Sequence, residues 1–143
     1  MSDTPEPNDF TAFMTQREAA ARAYVNGDAA PLDRLCTQAE PASFFGPAGG
    51  HRLGATAVTA AYRQGTALFS GAGETHLEIL QQGASDTLAF WTGIQRATVR
   101  LHGKAEAVPM DLRVTEIFRR EDGGWTLVHR HADMLTTEPP RVT

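Results

Sequence analysis

Residues Thr115–Met134 read TEIFRREDGGWTLVHRHADM, and their centre, RREDGGW at Arg119–Trp125, decides how the chain is read. Two runs rich in β-formers flank an acidic, glycine-bearing turn, the signature of an antiparallel hairpin. A type I turn over Glu121–Asp122, with Gly123 at positive φ, gives the common three-residue loop with a bulge. That geometry pairs Arg120 with Gly124, Glu116 with Val128 and Val114 with Arg130. Side chains alternate between faces along a strand. Glu116, Phe118, Val128, Arg130 and Ala132 are then expected on one face. Thr115, Ile117, Trp125, Leu127, His129 and His131 are expected on the other. A two-residue turn would shift the pairing by one and move the histidines to the face of Glu116.

Working outward, TLAFWTGIQRATVRL and THLEILQQ continue the β pattern before the hairpin, with GASD and HGK as turns between strands. If HGK turns on Gly103–Lys104, Trp91 lies opposite Glu116 and shares its face. The first half of the chain has a different period. Phe10, Phe13, Met14, Ala21, Tyr24 and Val25 recur at helical spacing after a capping Asn8 or Asp9. Asp28 caps a second, short helix with Pro31 near its start. ASFFGPAGG is a short strand, and GATAVTAAYRQGTALFSG reads as a third helix ended by Gly71, with Val58, Ala61, Tyr62, Gly65, Leu68 and Phe69 as its apolar stripe. Three helices followed by antiparallel strands predict an α+β domain.

The chain has 143 residues, one cysteine and a net charge of −4. This fits one domain with a core large enough to fold without crosslinks, expected over residues 9–135, with residues 1–8 and 136–143 as flexible ends. The basic residues form no run, which argues against nucleic acid or an anionic membrane as partner. The start has no signal-peptide pattern and no apolar segment reaches the roughly 20 residues that span a bilayer. The lone Cys36 fits a reducing, cytoplasmic setting, and its place at a helix end reads as a small buried residue.

The helix order, the penultimate strand with its Thr-x-x-Phe-Arg-Arg run, the Asp-Gly turn and the Trp-x-x-Val-His-x-His strand resemble the nuclear transport factor 2-like superfamily. Within it, they resemble the SnoaL-like and kinase association domain-like branch. The resemblance implies a cone: a strongly curved, mainly antiparallel sheet packed on three N-terminal helices, the cystatin-like α+β barrel. It also implies a pocket at one end and pairing of two copies through the outer sheet face. In relatives with ketosteroid isomerase-like chemistry, an aspartate stands where this chain has Glu116. No match to that family's helix-one tyrosine or base aspartate is found here.

Glu116 is therefore the candidate catalytic residue, as acid, base or hydrogen-bond donor, with Arg130, Trp91, Tyr62, Phe118 and Val128 as candidate ligand contacts. In an apolar cone the Glu116 carboxyl should titrate high unless a cation holds it ionised. Arg130, on the same face, is that cation, and a purely structural pair across two strands is the competing reading. His129 and His131 have ligand-compatible spacing, but zinc needs three or four converging groups. They read instead as a sheet-surface or dimer-interface pair, and no metal or cofactor is expected. The glycines at 46, 49, 50 and 54 lack a phosphate-binding pattern and fit a pocket rim. Two functions stay open. One is a homodimeric domain binding a small, largely apolar molecule. The other is a cofactor-free isomerase, cyclase or hydrolase using Glu116.

Overall fold

The computed structural model describes residues 9–137, so the expectations for residues 1–8 and 138–143, Asn8 included, lie outside it. Ten elements follow one another: α1 (Asp9–Tyr24), α2 (Ala30–Leu35), β1 (Ser43–Phe45), β2 (His51–Leu53), α3 (Ala55–Thr66), β3 (Glu74–Ala84), β4 (Leu88–Val99), β5 (Val108–Pro109), β6 (Leu112–Glu121) and β7 (Gly124–Met134). The α+β reading holds. The strands form one open sheet in the order β2-β1-β7-β6-β4-β3, with β5 on β4. All its pairings are antiparallel except β1 on β7.

The helices cover the concave face. α1 buries Phe10, Phe13, Met14, Arg17, Ala20 and Ala21, its one apolar stripe. At the closed end Phe10 packs on Phe13, Phe118 and Trp125 with ring centroids 5.3–5.9 Å apart. Trp125 also donates to Asp9 at 2.8 Å and stacks under the Arg120 guanidinium. Curvature of the sheet comes from irregular pairings. β3 slips by one residue against β4 between Ile79 and Gln81. Gly93 sits opposite that slip, and a Cβ there would meet the Glu78 carbonyl.

The decisive hairpin differs from the expected one in two compensating ways. Asp122 and Gly123 both have positive φ, 51° and 80°, which makes a two-residue type I′ turn that pairs Glu121 with Gly124. The extra residue sits within β7 instead. Phe118 pairs with Leu127 and Ile117 with His129, leaving Val128 unpaired between them. Before the bulge the faces are the reverse of those expected, so Trp125 and Leu127 are buried in the core rather than outward. Beyond it the phase is restored: Arg130 lies directly opposite Glu116, and His129 and His131 stay on the outer face. A bulge bends and twists a strand, which a cone needs and a tight turn cannot supply.

Smaller differences follow the same logic of local geometry. ASFFGPAGG closes into a β1–β2 hairpin that places His51 in a strand opposite Phe45. α3 ends at Thr66, so Leu68 is exposed and Phe69 joins a separate small core with Val25, Ala97 and Val99.

Deleting Val128 should remove the bulge and leave Leu127, His129 and Arg130 opposite Phe118, Ile117 and Glu116, so Arg130 keeps its face while β7 loses its bend. The expected loss, from straightening the strand against the packed core, exceeds about 2 kcal/mol. Val128→Thr keeps the bulge at a half-buried position and should cost under about 1 kcal/mol. Urea unfolding followed by tryptophan fluorescence separates the two.

Candidate functional site

Four elements bring polar side chains to one point inside the cone. Glu116, midway along β6, is completely buried. Its neighbour across β4 is Trp91 and its neighbour across β7 is Arg130. From above, α1 lowers Arg17 onto it. Arg17 donates from Nε to Oε1 at 2.9 Å and from Nη2 to Oε2 at 2.7 Å, a two-pronged pair. Trp91 Nε1 donates to Oε1 and Arg130 Nη1 to Oε2, both at 2.7 Å. Arg130 Nη2 also donates to Gln95 Oε1 at 2.9 Å, and Gln95 in turn donates to Thr75.

Burial alone would push the Glu116 carboxyl up, but the two guanidiniums outweigh it and hold the carboxyl down at about 2. Of the two opposite expectations for this residue, the geometry fits the ionised one. Its four hydrogen bonds come from donors only, so a proton on it would break at least one.

The cluster forms the floor of a cavity of about 280 Å³. Arg17, Arg130, Gln95 and the tyrosines Tyr24 and Tyr62 supply its polar lining. Leu32, Phe44, Phe69, Met110 and Leu112 supply much of the apolar wall; of the four glycines expected at a pocket rim, Gly46 borders the cavity, beside Pro47 and Ala48, and Gly49, Gly50 and Gly54 do not. Tyr62, on α3, packs its ring on Phe44 at 4.7 Å, and burial pushes its phenol up. Of the six residues expected at the site, Arg130 and Tyr62 border the cavity. Glu116 and Trp91 stand behind the arginines. Phe118 belongs to the aromatic cluster at the closed end, and Val128 is the half-buried bulge residue. A larger groove of about 350 Å³ between α2 and α3 is a surface feature, bridged by Arg63 and Asp33.

Arg17 and Gln95 are the two site residues that were not anticipated. Both were visible as polar residues in apolar phase. Arg17 lies three, four and seven residues after Met14, Phe13 and Phe10, and Gln95 shares the parity of Trp91.

The two histidines lie elsewhere. His129 accepts from or donates to Ser43 at 2.7 Å and packs with His131 around the exposed ring of Phe45. Among the described residues, no three histidine, cysteine, aspartate or glutamate side chains converge as a metal site would require. Cys36 is buried, and burial pushes its thiol up to about 12, so it is a packing residue at neutral pH.

Glu116→Gln would leave Arg17 and Arg130 buried against each other without their counter-ion. The expected loss is about 3–5 kcal/mol, against about 2–3 kcal/mol for Trp91→Phe, which removes one donor and leaves a small cavity where the indole was buried. Because the carboxyl titrates lower when folded, its contribution is fully present above the unfolded value near 4.5 and is lost as pH falls towards 2. Urea midpoints measured between pH 7 and pH 3 should therefore fall in the wild type below about pH 4.5.

Comparison with known proteins agrees with this architecture. No curated protein matches the chain in sequence. A nuclear transport factor 2-like protein of Salmonella enterica superposes with a TM-score of 0.74 at 14% identity, over 92% of either chain. A Streptomyces avermitilis protein of the same superfamily, which carries a provisional dehydratase name, superposes at 0.76 with 21% identity, over 91% of this chain and 98% of that one. The kinase hub homology domain of Chlamydomonas reinhardtii superposes at 0.67 with 15% identity, over 90% and 99%. At these identities the likeness is one of fold. The family model of the SnoaL-like domain matches residues 15–137, nearly the whole described chain, and the protein belongs to that family.

Proposed function

We propose that the protein is a small-molecule-binding SnoaL-like domain that works as a homodimer. The observation that carries the first part is the cavity itself, a mostly apolar chamber with a fixed polar floor. Binding sites have that composition: apolar walls for affinity and a few convergent polar groups for orientation. In this reading Glu116 does not meet the ligand. It fixes the two guanidiniums that do, and Trp91 fixes Glu116.

A catalytic role for Glu116 draws support from the dehydratase names among the structural relatives. The geometry supports it less well. A general acid or base must reach the proton it moves. The Glu116 carboxylate is fully engaged and stands behind the arginines. No carboxylate or histidine is among the described residues that line the cavity. Native mass spectrometry of the purified protein should show a small molecule retained per subunit and a mass of two chains. A protein that emerges empty, and that no member of a fragment library raises in melting temperature, would contradict the binding reading.

The proposed pairing surface is the outer face of the sheet. Phe90, Ile117 and His129 lie side by side across β4, β6 and β7, and Phe45 packs on the last of them. Phe90 and Phe45 are each 39% exposed. Burial and the neighbouring His131 both hold the His129 imidazole below its usual value. Protonating it against a second copy would cost association, so the dimer should weaken as pH falls below about 6. Phe90→Glu should weaken it at least about 100-fold at any pH. Sedimentation equilibrium across pH 5–8 reads both effects.

A further inference from the structure

The floor of the cavity carries an unbalanced charge. Arg17 and Arg130 are both buried and both cationic, and Glu116 is their shared counter-ion. Two cations against one carboxylate leave one positive charge inside the protein. Nothing else in the cluster offsets it: burial pushes both the Tyr62 and Tyr24 phenols up and keeps them neutral. Buried charge is costly unless it is paired.

The same place holds two donors without acceptors. Arg17 Nη1 and the Tyr62 hydroxyl are buried and have no hydrogen-bond partner. Such groups are rare in native proteins and mark a missing partner. Arg17 and Tyr62 both border the cavity, one from α1 and the other from α3. One excess positive charge and two orphaned donors together specify the missing group: a monoanion with two acceptor oxygens.

We propose that the cavity takes an organic monocarboxylate with a short apolar body, its carboxylate seated on Arg17 Nη1 and the Tyr62 hydroxyl. This deepens the binding reading above and depends on it. A neutral amide or alcohol supplies an acceptor but leaves the charge, and a doubly charged phosphate overcorrects it. The body lies along Leu32, Phe44, Met110 and Leu112. A volume of about 280 Å³ is at the small end for binding sites and equals roughly nine waters at ~30 Å³ each, so the ligand has about ten non-hydrogen atoms.

The test is calorimetric titration of the whole protein with phenylacetate, 3-phenylpropionate and 4-phenylbutyrate, each beside its amide and its alcohol. At least one acid should bind about tenfold or more tighter than its neutral partners. Tyr62→Phe removes a hydroxyl that bonds to nothing, so it should melt as the wild type does. It should nevertheless bind the acid about five- to tenfold more weakly and the amide nearly unchanged. If acid, amide and alcohol bind alike, or if Tyr62→Phe leaves the acid's advantage intact, the carboxylate seat is overturned while the cavity reading stands. If none of the nine compounds binds, the carboxylate seat is overturned, and the cavity reading stands or falls on the native mass spectrum and the fragment library.

Discussion

The Glu116 carboxylate ties helix α1 to three neighbouring strands of the sheet at one completely buried point. Its two oxygens accept from α1, β4 and β7 while its own backbone runs in β6. Apolar packing is tolerant of small shifts in helix position. A two-pronged arginine bond is not, because it fixes distance and plane together. The arrangement therefore sets the height of α1 above the sheet, and with it the depth of the cavity. Much of its cost is desolvation of three charges, and a well-packed apolar substitute of the same volume need not be less stable. The ionic cluster is better understood as a device for holding guanidiniums in place than as a source of stability.

Holding them there has a functional meaning within the family fold. The cone encloses a chamber of about 280 Å³, and in the proposed binding role the residues at its floor would decide what it accepts. Here the floor is cationic and rigid, with no group free to exchange a proton near neutral pH. That is the chemistry the proposed binding role calls for. The outer face has an opposite character, with aromatic rings and histidines in reach of solvent.

How much of this was readable in the residues depends on which physical signal was involved. Most elements were legible, because period 3.6 and period 2 stand out in α1 and in β3, β4, β6 and β7. The partnership of Glu116 with Arg130 and Trp91 was legible too, since all three follow from strand parity. The faces of Trp125 and Leu127 were not, because the bulge position was invisible: a slip after Gly124 and one at Val128 give the same phase beyond His129. Arg17 was in plain view on an apolar stripe and passed over, because a long basic side chain on a helix is usually solvated. A charged residue in apolar phase facing an acid in another apolar strand is the pattern that would have found it.

The central claim is that Glu116 is an ionised anchor and not an acid. Carbon-13 NMR of its side-chain carboxyl, followed from pH 7 downwards, tests this directly. The account predicts the chemical shift of a carboxylate throughout the folded range, with no titration while the protein stays folded, even as its stability declines below about pH 4.5. A carboxyl that is neutral at pH 6, or that titrates above its ordinary value of 4.5 in the folded protein, would contradict it and restore the acid–base reading of the site.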